Sequence, residues 1–116
     1  MDTRSKIVTP DRVPAGSTVV TGTFDVVQAE DARELAAIRA ESPRDPLCVV
    51  VLPLAGELLP RRARAELAAA LRVIDYVITE DIALDTLRPA RVVRLEDAHA
   101  ARKRQLMEHV HSRQSR

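Results

Sequence analysis

Apolar positions along this chain alternate between short continuous runs and stripes at helical spacing. The runs are rich in β-branched residues and predict strands over residues 17–21, 47–52, 73–79 and 90–95. A continuous run such as 47–52 is typical of a parallel strand that is covered on both faces. The stripes predict helices over residues 29–40, 60–72, 82–87 and 97–111.

Each longer predicted helix has a stripe that we expect to face the core. The three stripes are Ala32, Leu35, Ala36 and Ile38; Ala63, Leu67, Ala70 and Leu71; and Ala98, Ala101, Leu106 and Val110. Strands that alternate with helices of this length form right-handed βαβ units. The predicted fold is therefore α/β, a Rossmann-like three-layer α/β/α sandwich with a parallel sheet of four to five strands.

The length of 116 residues fits one domain with one hydrophobic core. Phe24 and Tyr76 are the only aromatic residues, so aliphatic side chains must build most of that core. The polar residues 1–5 and 112–116 are expected to be disordered. The chain is predicted to be a single domain over residues 1–116.

The net charge limits which partners the chain could attract, and its cysteine content bears on where in the cell it works. The formal net charge is +1, which gives no field that would attract nucleic acid or an anionic membrane. The single cysteine, Cys48, lies in an apolar run and is expected to be a buried, reduced thiol. No leader segment or membrane-spanning stretch is visible, so a cytoplasmic location is predicted.

The loop after the first predicted strand is where an open parallel sheet places its ligand, beyond the carboxyl ends of the strands. Residues 22–33 of this loop and the following helix read GTFDVVQAEDAR. Gly22, Thr23, Phe24 and Asp25 end the strand, two valines follow, and a helix opens shortly after them.

This segment resembles the entry motif of the cytidylyltransferase-like nucleotidyltransferase superfamily, in which Gly-x-Phe-Asp and two apolar residues precede His-x-Gly-His. Gly22, Phe24 and Asp25 match, and the resemblance implies that they, with Thr23, line a nucleotide site. The other motif positions differ. Gln28 stands where the motif has its first histidine, Glu30 where it has the glycine and Asp31 where it has the second histidine.

Three other stretches are similar to the heptose-phosphate adenylyltransferase and glycerol-3-phosphate cytidylyltransferase branch. Residues 64–77 resemble its Arg-led helix that runs into a Val-Asp-x-Val strand, and Arg64 would then contact a bound anion. Residues 6–9 are similar to its opening strand, and 87–89 to the proline before a later strand. The resemblance implies ATP or CTP with Mg²⁺ as ligand, a sugar phosphate as second substrate, and a homodimer.

The departures from the motif remove its phosphate chemistry. The histidines and the helix start attract phosphate in the family, whereas Glu30 and Asp31 place two carboxylates there. Each close like-charge pair with a triphosphate costs about 4 kcal/mol at an effective dielectric near 20. The substrate loop is shortened to residues 53–57, and no Ser/Thr-rich phosphate motif opens a late helix.

Structural interpretations compete with functional ones at each of these positions. Glu30 and Asp31 can simply stabilise the first turn of a helix, and Asp25 can organise the turn after its strand. Arg64 can be a solvated helix residue. On the last predicted helix, residues 102–104 are interpreted as a solvated basic face, and His109 and His111 point too far apart to share one metal ion. No metal site is predicted.

Two functional hypotheses follow. The first is a divergent nucleotidyltransferase-like domain without transferase catalysis, which serves as a nucleotide- or phosphometabolite-binding or protein-interaction module. The second is an active transferase that moves AMP or CMP from a nucleoside triphosphate to a small phosphorylated substrate and releases pyrophosphate. In the second, Asp25, Glu30 and Asp31 would hold Mg²⁺. Arg64, Arg102 or Lys103 would then contact phosphate. The replaced histidines favour the first.

Overall fold

The computed structural model describes residues 2–25 and 29–114, so Gln28 lies outside the described residues. Seven regular elements follow one another in the order β1 (Thr18–Gly22), α1 (Ala29–Glu41), β2 (Leu47–Val51), α2 (Arg61–Ala69), β3 (Tyr76–Ile78), β4 (Arg91–Arg94) and α3 (Glu96–Gln114). Short 3-10 helices occupy Thr3–Lys6, Pro10–Arg12 and Leu84–Leu87.

The four strands form one all-parallel sheet in the order β3-β2-β1-β4. Val20 lies between Val49 of β2 and Val93 of β4, so β1 is central. The chain moves outward from β1 to β3 and then returns to add β4 on the other side of β1. The fold class is confirmed as α/β with a parallel sheet, and its switch point lies between β1 and β4.

The two faces of the sheet are covered differently. One face packs Val20, Val49 and Val77 against α1 and α2, through Leu35 of α1 and the alanines of α2. The other face packs a smaller cluster against the short 3-10 helices: Val13, Val19, Cys48, Val50, Ile78 and Leu87. Cys48 is buried as expected, and burial raises the pKa of its thiol to about 12. The third layer of the sandwich is thus thin.

Strand β3 begins later than the sequence pattern predicts because a turn at residues 71–74 precedes it. The N–H of Ile74 bonds to the carbonyl of Leu71, and Asp75 turns its carboxylate back toward β2. That carboxylate accepts from the N–H of Leu47 at 2.9 Å and from Arg39 at 2.6 Å. Asp75 therefore fixes where β2 and β3 begin.

Both terminal segments contain more regular structure than their composition predicts. Thr3–Lys6 form a 3-10 helix, in which the Asp2 side chain accepts from the N–H of Arg4. At the other end α3 continues to Gln114. No helix among residues 2–25 and 29–114 is long and apolar enough to cross a membrane.

The predicted buried faces of α2 and α3 were partly wrong. In α2 the buried residues are Arg64, Ala65, Ala68 and Ala69, while Leu67 is 43% exposed. At α3, Leu95 and His99 are buried, whereas Leu106 and Val110 lie at the surface. In α1 the prediction was closer, because Leu35 and Ile38 are buried as expected.

Candidate functional site at the carboxyl edge of the sheet

The loop that follows β1 turns sharply at Phe24. Phe24 has φ of 51°, a left-handed conformation that is rare for a residue with a bulky side chain, and its ring is buried in the main core. The turn sends the chain across the carboxyl edge of the sheet, and Asp25 follows it. This loop is the one to which the nucleotidyltransferase resemblance assigns ligand contacts.

Asp25 is buried and holds two other segments against this loop. Its carboxylate accepts from the N–H of Leu58 at 2.9 Å and of Leu59 at 3.0 Å, and Lys103 of α3 lies 2.6 Å from its second oxygen. Burial raises the pKa of Asp25, but the bonds from Lys103, Leu58 and Leu59 outweigh it and hold that pKa below its usual range. Asp25 therefore organises the turn and is an internal ion-pair partner.

Arg64 is completely buried rather than solvated, with an exposed fraction of 0%. One terminal nitrogen donates to the carbonyls of Thr23 and Leu52, each at 2.7 Å. Nε donates to the carbonyl of Leu59 at 3.2 Å, and the other nitrogen meets Glu57 at 2.9 Å. The guanidinium joins the loops that follow β1 and β2, and these four bonds leave it committed to the fold.

His99 of α3 fills the space at the end of β1. Its Nδ1 lies 3.3 Å from the N–H of Thr23 and 3.4 Å from that of Phe24, and its ring meets the Phe24 ring edge-on at a centroid distance of 4.5 Å. Gly22 makes this approach possible, since a Cβ there would lie 2.5 Å from Cε1 of His99. The Gly22 position thus serves an internal histidine.

Asp31 forms an ion-pair cluster with α3. Its Oδ1 lies 2.5 Å from the guanidinium of Arg102 and 3.3 Å from Nε2 of His99, and Arg102 also reaches Glu34 at 3.0 Å. Burial is the largest influence on the pKa of His99 and lowers it, although Asp31 opposes the effect. The lowered pKa favours neutral His99, and in that form the proton lies on Nε2 because Nδ1 accepts two N–H groups.

A metal ion does not fit this cluster well, although its donor types suggest one. Among the described residues, Asp31, Glu34 and His99 offer ligand atoms within 4.8 Å of one another, and neither Asp25 nor Glu30 joins them. A metal at Nε2 would need the lone pair of that nitrogen, which carries the proton here. Arg102 already supplies the cation. The magnesium set of Asp25, Glu30 and Asp31 is therefore not assembled.

The remaining predicted site residues either lie at the edges of cavities or pair with carboxylates of the same chain. Thr23 lines a cavity of about 350 Å³, whose other walls come from Leu54 and α3. Glu30 is exposed and borders a shallower cavity beside Arg102. The interpretation of residues 102–104 as a solvated face was wrong for Arg102 and Lys103, which bind buried carboxylates, and holds only for the exposed Arg104.

Sequence reasoning missed His99, which is central to this region. The available signal was a single histidine between two alanines on a helix that follows a strand, and that pattern is common on solvated helices.

Comparison of the chain with protein-family models and with curated proteins gives no match. The resemblance to nucleotidyltransferases therefore stays a prediction.

Proposed function

We propose that this chain is a nucleotidyltransferase-like domain without transferase catalysis, which acts as a protein-interaction module within a homo-oligomer. The observation that carries the proposal is that Asp25, Asp31 and Arg64 are all engaged by partners within the chain. A cytoplasmic location is part of the proposal, since Cys48 is a free thiol.

The charge balance at the carboxyl edge argues against a bound triphosphate. The three cations paired with Asp25, Asp31 or Glu57 meet four carboxylates in all, and the lowered pKa of His99 favours its neutral form. The cations are Arg64, Arg102 and Lys103, and the carboxylates are Asp25, Asp31, Glu34 and Glu57. A triphosphate would have to compete with carboxylates already at ion-pair distance, and its repulsion by an unmatched one costs about 4 kcal/mol per close pair.

The geometry also favours helix α3 as the surface for a protein partner. His99 is buried on the inner face of α3, directly after the buried Leu95 that precedes the helix, and Leu106 and Val110 continue the His99 face at helical spacing, seven and eleven residues further on. Leu106, Met107 and Val110 are exposed, because this half of α3 extends past the residues that cover the first half. A helix face that is apolar but uncovered is typical of a protein contact.

Calorimetric titration with ATP and with CTP in excess Mg²⁺ tests the loss of nucleotide chemistry. We expect no saturable heat up to millimolar nucleotide, and no pyrophosphate release when sugar phosphates are added. Micromolar binding that is lost in Asp31→Asn would overturn the proposal. Pyrophosphate release would support the alternative, an active transferase of AMP or CMP.

Sedimentation analysis tests the interaction surface. We expect the wild-type chain to self-associate in the micromolar range and the double variant Leu106→Glu/Val110→Glu to be monomeric. Leu67→Glu is the matched control, because Leu67 is similarly exposed but lies on α2. A wild-type monomer at all concentrations, or equal dissociation by the control, would contradict a homo-oligomer built through α3.

A further inference from the structure

A second cavity, of about 200 Å³, opens at the carboxyl ends of the strands near the thin layer of the fold. Its wall at β2 includes Val50, which belongs to the apolar cluster on the face opposite α1 and α2. The lining residues come from the carboxyl ends of β1, β2 and β4, from the segments after β2 and β3, and from the first residue of α2. They are Thr21, Val50, Leu52, Arg61, Glu80, Asp81, Ile82, Leu84 and Arg94. None of the residues that match the nucleotidyltransferase pattern lines this cavity.

Arg61 is held rigidly at this cavity with one donor unused. Its Nε donates to the carbonyl of Val51 at 2.7 Å, and Nη1 meets Asp81 at 3.1 Å. Its Nη2 is buried and has no hydrogen-bond partner among the described residues. Buried donors are almost always paired, since an unpaired one loses its water without compensation. Arg61 therefore brings an incompletely satisfied positive charge to the wall of this cavity, and such a charge favours a ligand with a negative group.

The cavity is also lined by a second cation and by two carboxylates, which together balance the charge of the two guanidinium groups. The side chain of Arg94, at the end of β4, makes no hydrogen bond or ion pair with other residues in the described ranges, and the same is true of the Glu80 side chain. Asp81 meets Arg61 through one oxygen, but its side chain is largely exposed. The two guanidinium and two carboxylate groups cancel in net charge, so the cavity does not attract a simple anion strongly.

We propose that this cavity binds a small zwitterion with an apolar side chain, the chemistry of an aliphatic α-amino acid. The ligand carboxylate accepts from Arg61 and Arg94, because planar guanidinium groups match carboxylate geometry. Its ammonium group donates to Glu80 and Asp81. The hydrocarbon part lies against the apolar wall formed by Val50, Leu52, Ile82 and Leu84.

Ligands that each lack one feature of the zwitterion test this assignment by calorimetry or NMR titration. L-leucine is expected to bind saturably. Leucinamide lacks the carboxylate, 4-methylpentanoate lacks the ammonium and glycine lacks the side chain, so each is expected to bind at least about tenfold more weakly, a loss equivalent to 1.4 kcal/mol. Inorganic phosphate that binds as tightly as leucine would replace the proposal with a simple anion site.

Variants of the lining residues show where the ligand binds. Arg61→Met keeps the aliphatic stem and is expected to weaken leucine binding at least about tenfold, whereas Arg62→Met, an exposed neighbour paired with Glu66, leaves it unchanged. Arg94→Met and Glu80→Gln remove exposed groups without internal partners, so they keep the test valid if Arg61→Met does not fold.

The proposal is overturned if no aliphatic amino acid gives a saturable signal up to about 10 mM, a concentration well above a weak metabolite affinity. It is also overturned if Arg94→Met and Glu80→Gln both bind leucine like the wild type. Because the nucleotide titration concerns the opposite face of the sheet, failure here is distinguishable from failure of the proposed function.

Discussion

Substitution of Gly22 by alanine tests the packing of α3 on the end of β1. An added Cβ would lie 2.5 Å from Cε1 and 2.7 Å from Nδ1 of His99, and 2.8 Å from Cε2 of Phe24. Both rings are buried and packed edge-on against each other, so neither can move alone. Alanine at this position must displace His99 and with it the start of α3.

The expected loss of unfolding free energy has two parts. Overpacking of a tight core site costs about 1–3 kcal/mol. A displaced imidazole also loses its bonds to the N–H groups of Thr23 and Phe24, which already lie at 3.3 and 3.4 Å, and each lost bond adds about 1 kcal/mol. We expect Gly22→Ala to lose about 3–5 kcal/mol in urea denaturation followed by circular dichroism.

A double-mutant cycle with His99→Ala separates this clash from a general effect on β1. Removal of the imidazole makes room for the new Cβ, so Gly22→Ala in that background is expected to cost at least about 1 kcal/mol less than in the wild type. Gly16→Ala is the control: Gly16 has φ of 84° but nothing near its Cβ position, so its cost is expected to be the same with and without His99. Strict additivity of Gly22→Ala and His99→Ala would refute the reasoning.

Two further predictions concern the buried polar groups. Arg64→Met leaves three loop carbonyls and Glu57 without their shared donor, so we expect the free energy of unfolding to fall by about 3–5 kcal/mol in the same assay. The control Arg62→Met is expected to lose about 0.5 kcal/mol or less. Similar losses in both variants would contradict a buried network. Because the pKa of His99 is lowered by folding, the unfolded chain binds more protons just below pH 6.5, and stability falls as pH decreases through that range. His99→Gln keeps an acceptor but cannot titrate, so the difference in melting temperature between it and the wild type should change from pH 7 to pH 5, and a constant difference would contradict the assignment.

The elements whose signal is local were predictable from the sequence. The run Leu47–Val51 is buried at every position, as a continuous apolar strand predicts, and the core is built mainly from aliphatic side chains, as the composition predicts. The parallel sheet follows from the alternation of strands and helices. Boundaries were less accurate where a side chain redirected the backbone, as Asp75 does before β3.

The inward face of α2 could not be predicted, because apolarity alone does not decide which residues a helix buries. Leu67 was expected inside and Arg64 at the surface, and the structure reverses them. Arg64 is buried because carbonyls from two loops converge on it, one of them 41 residues away at Thr23. Which loops meet at Arg64 depends on the order of the strands in the sheet, and the local sequence of α2 does not predict that order.

The sequence by itself determined that this chain would form an α/β domain and that two acids, Glu30 and Asp31, would stand at the start of α1, because both depend on residue type and spacing. Only the tertiary structure decided what those acids do. Asp31 meets Arg102 across 71 residues of chain, and the buried Asp25 meets Lys103 of the same helix. Carboxylates that lose their water need such partners, and it is the return of α3 beside β1 that brings the partners to them.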